Sequence, residues 1–94
     1  MAIQAMSKEK KKISDELLAY LKMGNPLIAN LKKVPLNESL VELGYLDSFG
    51  IIDLVEFLEK SQKVKILDDE ITKEKFGSIS KMVDTVYKKK YLDK

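Results

Sequence analysis

The stretch Leu46-Asp47-Ser48-Phe49-Gly50-Ile51-Ile52-Asp53-Leu54-Val55-Glu56-Phe57-Leu58-Glu59 decides the reading of this chain. Asp47 and Ser48 are both strong helix N-cap residues, and an apolar run begins at once behind them. Ile51, Leu54, Val55 and Leu58 fall at i, i+3, i+4 and i+7, one face of an α-helix. The spacing predicts a helix from about Ser48 to Gln62. A serine hydroxyl therefore stands at its mouth, just after the Gly44-Tyr45 loop. The first turn of a helix carries unpaired N–H groups and the positive end of the macrodipole, which favour a phosphate.

Outward from that helix the chain reads as all-α. Ser7 to Met23 is expected to form a first helix, with Ile13, Leu17, Tyr20 and Leu21 on one face and Gly24-Asn25-Pro26 ending it. Leu27 to Leu31 is either a short helix begun by Pro26 or packed loop. Val34-Pro35-Leu36-Asn37 is a connector, and Leu40, Val41 and Leu43 are expected to dip back to the core. Val64-Lys65-Ile66 has no partner strand and reads as extended loop packing Val64 and Ile66 inward. Thr72 can cap a short helix through Phe76, and Ser78 or Ser80 a last one striped by Ile79, Met82, Val83, Val86 and Tyr87. Leu54, Val55, Leu58, Ile66, Ile79 and Val83 are core candidates. The expectation is a small four-helix bundle, three main helices plus a short third one, with a long loop between helices one and two.

Composition narrows the function. The chain has 94 residues, enough for one domain, and neither Cys nor His. That removes disulfides, thiolate nucleophiles and the commonest general base and metal ligand. No catalytic residue and no metal site is expected. Asp68-Asp69-Glu70 lacks the spacing of a calcium loop. No apolar run is long enough to span a bilayer, so membrane insertion is not expected and a cytoplasmic location is. The chain has no Arg, which argues against sequence-specific nucleic-acid binding. The formal net charge is +2, but it is unevenly spread. From Leu36 to Lys60 the acids are Glu38, Glu42, Asp47, Asp53, Glu56 and Glu59, against Lys60 alone, while lysines gather at both ends. An acidic centre of this kind steers basic partners.

The stretch Ser39-Leu40-Val41-Glu42-Leu43-Gly44-Tyr45-Leu46-Asp47-Ser48-Phe49-Gly50, with the helix behind it, resembles the modification region of acyl carrier proteins. The likeness continues through Ile66, Asp68-Asp69-Glu70-Ile71 and Phe76-Gly77-Ser78-Ile79, and covers about Ile13 to Tyr87. The resemblance implies a phosphopantetheine arm on Ser48, supplied from coenzyme A by a phosphopantetheinyl transferase that Asp47 helps to engage. It implies an apolar contact patch of Leu46, Phe49 and Ile52 and an acidic recognition face of Asp53, Glu56 and Glu59. Partners would be adenylating and acyl-transfer enzymes. The protein itself would be a non-enzymatic monomer carrying an acyl or aminoacyl thioester. Asp-Ser-Phe-Gly is similar to free-standing aminoacyl and D-alanyl carriers. Gln62 stands where the family usually has an aromatic. Residues 1–6 read as a leader or disordered N-terminus, 7–90 as the carrier-like domain and 91–94 as a tail. The alternative is a helical protein-interaction domain in which Ser48 is only a helix cap.

Overall fold

A computed structural model of the chain describes residues 8–92. The leader reading of residues 1–6, the residue Ser7 and the last two residues of the tail lie outside the described residues. The fold is all-α: five α-helices and no strand among the described residues. They are α1 (Lys8–Gly24), α2 (Pro26–Ala29), α3 (Ser48–Gln62), α4 (Lys73–Phe76) and α5 (Ile79–Tyr87). A 3₁₀ turn at Asp68–Glu70 precedes α4, and a π-helical turn at Lys88–Leu92 extends α5.

Helices α2 to α5 each start where a side chain satisfies a free amide. Asn25 accepts from the Leu27 and Ile28 N–H groups and Pro26 occupies the first position of α2, so Leu27 to Ala29 is helical rather than loop. Thr72 caps α4 through Lys75 N–H, and Ser78, not Ser80, caps α5 through Lys81 N–H. The apolar stripes then close on one another. Ile13, Leu17 and Leu21 of α1, Leu54, Val55 and Leu58 of α3, and Ile79, Met82, Val83 and Val86 of α5 are all buried. Ile28, Val34, Leu40, Ile66 and Phe76 fill the gaps between them. Each of these buries apolar surface worth about 1.5–3 kcal/mol per large side chain.

Val64 and Ile66 pack inward as extended chain, Ile66 fully and Val64 in part. The connector from Asn30 to Asp47 departs from its sequence reading. Leu40 alone of its apolar trio is buried; Val41 and Leu43 are 48% and 45% exposed. The cause is a single helical turn. Ser39 Oγ accepts from Glu42 N–H, and the turn closes with Gly44 N–H on Val41 O and Tyr45 N–H on Leu40 O. That is a Schellman closure with Gly44 at φ 87°, which a glycine adopts without strain. One turn presents one residue in three or four to the core, and Leu40 takes that place. The connector is held at its other end by Ser80 N–H donating to Leu36 O at 2.8 Å.

Gln62 is 3% exposed, and its polar ends are both satisfied. Its amide donates to Glu16 at 3.0 Å and accepts from Lys90 at 3.1 Å, so a polar tie between α1, α3 and the final turn occupies this position.

Candidate functional site

The Schellman turn delivers Leu46 and Asp47 to the start of α3. Asn25 steadies it from the far side, its side-chain N–H donating to Tyr45 O at 2.7 Å. Asp47 is extended and is the N-cap: its carboxylate accepts from Gly50 N–H at 2.8 Å. Ser48 is therefore the first helical residue and not the cap. Its side chain is exposed and its hydroxyl has no hydrogen-bond partner among the described residues. The Ser48 and Phe49 N–H groups lie before the first helical backbone bond, which Ile51 N–H makes to Asp47 O.

Phe49 beside it is 81% exposed and Ile52, one turn on, is 52% exposed. Ile52 is thus a surface residue. Leu46 is half-buried against the core and lies under Gly50, where a Cβ would come within 3.0 Å of the Leu46 side chain. Phe49 and Ile52 are thus exposed on the first turns of α3 with Ser48, while Leu46 precedes the helix and faces partly into the core.

The three acids that follow have separate surroundings. Asp53 accepts from the Tyr20 hydroxyl at 2.6 Å, and the Tyr20 ring stacks on Phe57 with centroids 4.0 Å apart and planes 12° apart. The hydrogen bond to Asp53 holds the Tyr20 phenol above its ordinary pKa, with desolvation and the charges of Asp53 and Glu56 adding in the same sense. Glu56 is exposed. Glu59 turns the other way: half-buried, it accepts from Ile66 N–H at 2.9 Å and so fixes the loop after α3. A cleft of about 320 Å³ lies between the end of α1 and the start of α3, with Tyr20, Asn25, Tyr45, Asp47 and Asp53 among its walls. A smaller apolar cleft of about 170 Å³ opens behind Ile51, between the Ser39–Glu42 turn and α4.

The sequence reading missed Tyr20 and Asn25 as site residues. Tyr20 reads as one more apolar-face residue of α1 and Asn25 as a helix breaker; nothing local marks contacts to Asp53 and Tyr45.

No family model, no curated protein and no solved structure matches this chain. Among the described residues no helix is long and apolar enough to cross a membrane.

Proposed function

We propose that this protein is a carrier, with Ser48 the attachment point of a 4′-phosphopantetheine arm. One observation carries the reading: Asp47 supplies the cap, and the Ser48 hydroxyl stands exposed and unengaged beside it. A serine at this place that served only as a cap would take the hydrogen bond that Asp47 takes. The residues suit a phosphodiester: the free Ser48 and Phe49 amides and the positive end of α3 face an anion linked to Ser48 Oγ.

In the attachment reaction Ser48 Oγ attacks the β-phosphorus of coenzyme A. The new O–P bond replaces the pyrophosphate P–O bond, and 3′-phosphoadenosine 5′-phosphate leaves. The hydroxyl proton goes to a base of the transferase, since Ser48 has no base within hydrogen-bond reach in this chain. Once attached, the arm supplies a thiol that carries an acyl or aminoacyl thioester, and tethering raises its effective concentration at a docked enzyme. The chain would contribute binding rather than catalysis. Phe49, Ile52 and Leu46 give partner enzymes an apolar contact, with Glu56 and Asp53 on the same helix attracting basic residues. In this reading α1, α3, α4 and α5 are the four-helix carrier arrangement and α2 is a turn at the start of the long segment between α1 and α3. The protein works as a cytoplasmic monomer, with a phosphopantetheinyl transferase and adenylating or acyl-transfer enzymes as partners.

Intact-protein mass spectrometry after incubation with coenzyme A, magnesium and a phosphopantetheinyl transferase tests this. The parent should gain one phosphopantetheine and Ser48→Ala none, with both folded by circular dichroism. A folded parent left unmodified by both a promiscuous and a cognate transferase, while a control carrier is modified, would overturn it.

A further inference from the structure

The opposite end of α3 has the opposite charge. A cleft of about 630 Å³ there is walled by Ser61, Gln62, Lys63, Val64, Lys65, Lys89 and Lys90, with no acidic side chain among them. Lys89 is paired with Glu70 at 2.7 Å, and Lys90 is positioned by Gln62 at 3.1 Å. Lys63 and Lys65 are exposed and make no ion pair among the described residues. Three of the four lysine charges thus have no carboxylate partner there. Lys90 Nζ also lies 5.7 Å from the centre of the Tyr91 ring, which places an aromatic side chain beside the basic wall. Tyr91 and Leu92 are both exposed, at the end of the same terminal turn.

We propose that this lysine-walled cleft, with Tyr91 beside it, docks the protein on anionic lipid headgroups as a peripheral membrane protein. Lysine clusters gain attraction at a negatively charged leaflet, and their long stems let the charge reach the headgroups while the backbone stays outside. Tyrosine favours the membrane–water interface. The chemistry fits a lipid surface better than nucleic acid: the wall has no arginine for bidentate phosphate or base recognition. At a rise of about 1.5 Å per residue, Ser48 stands roughly 20 Å along α3 from this wall, so docking leaves it free. The inference does not rest on the carrier reading, because neither Ser48 nor its modification takes part.

The test is co-sedimentation of the full chain with equimolar phosphatidylcholine–phosphatidylglycerol vesicles and with phosphatidylcholine vesicles, at low and at physiological salt. The parent should pellet with the anionic vesicles only, and less as salt rises. Lys63→Asn with Lys65→Gln should lower partitioning by about tenfold or more. Asn is chosen at 63 because the backbone there is left-handed, φ 56°, where asparagine is tolerated. Lys32→Gln with Lys33→Gln changes the net charge equally at exposed loop positions outside the cleft and should change partitioning far less. Failure of the parent to bind, equal losses in the two double variants, or retention on a polyglutamate column without binding to vesicles would overturn the proposal. Equal melting temperatures of the variants confirm that the comparison is between folded proteins.

Discussion

The hydroxyl of Tyr20 donates to the carboxylate of Asp53 at 2.6 Å, and this contact ties the last turns of α1 to the second turn of α3. The Tyr20–Phe57 stack adds a second contact between the same two helices. Tyr20→Phe keeps the stack and removes the bond. It should cost about 1 kcal/mol at neutral pH, read by urea denaturation. The phenol pKa is raised from 10.0 in the folded state, so the bond's contribution is complete below that pH and lost as pH rises through the folded value. The gap between parent and variant should therefore close in alkaline solution. A gap constant across that range would mean that the hydroxyl is not bonded as described.

Capping and modification fall on neighbouring residues and are separable. Asp47→Ala removes the acceptor of the Gly50 N–H and should destabilise the fold by about 0.5–2 kcal/mol. Ser48→Ala should change stability by less than about 0.5 kcal/mol, because the hydroxyl is exposed and unengaged. Thermal melts of the two variants against the parent distinguish them. A Ser48→Ala loss as large as that of Asp47→Ala would assign the cap to Ser48 instead.

Glu70 closes the loop before α4. It accepts from Leu67 N–H at 2.9 Å, pairs with Lys89 at 2.7 Å and lies 3.7 Å from Lys75. The Lys89 contact, then the Leu67 N–H, hold its carboxyl below the ordinary value of 4.5, with partial desolvation opposing them. Because the folded pKa is depressed, the contribution is present above the unfolded pKa and is lost as pH falls through the folded one. Glu70→Gln should cost about 1 kcal/mol near neutrality, and the difference from the parent should vanish in acid. Denaturation midpoints measured from neutrality down to below pH 4.5 check the sign.

Gly77 follows α4 at φ −74°, so conformational freedom does not explain it; closeness does. A Cβ there would run into the Lys73 carbonyl, whose oxygen accepts from Gly77 N–H at 3.0 Å. Gly77→Ala should cost about 1–3 kcal/mol, as backbone must shift to admit one methyl group. A Gly24→Ala control, at a position with open space, should be neutral or better.

Much of the fold was legible from residues close in sequence. The span Ser48–Gln62, the cap at Thr72, and the stripe from Ile79 to Val86 all follow from hydrogen bonds and periodicities that act over three or four residues, whereas the choice of Ser78 over Ser80 as the cap of α5 came from the structure. The exposure of Val41 and Leu43 was not legible, because apolar character says nothing about which residue a one-turn helix turns inward. Glu59 looks like its neighbours Asp53 and Glu56 on paper, yet the loop after α3 folds back and places Ile66 N–H against it.

The sequence by itself determined the long helices α1, α3 and α5, the Thr72 cap of α4 and the position of Ser48 at the mouth of α3, since each depends on neighbours along the chain; it left open whether Leu27 to Ala29 is helical and whether Ser78 or Ser80 caps α5. Only the tertiary structure decided which polar groups serve the site and which serve the fold. Tyr20 meets Asp53 across 33 positions and Gln62 meets Glu16 across 46. Such pairs exist once packing of the apolar stripes has fixed the helices side by side, because no local preference specifies a partner that distant. The gathering of Lys63, Lys65, Lys89 and Lys90 around one cleft has the same origin: hydrophobic burial brings the ends of α3 and α5 together, and the lysines follow.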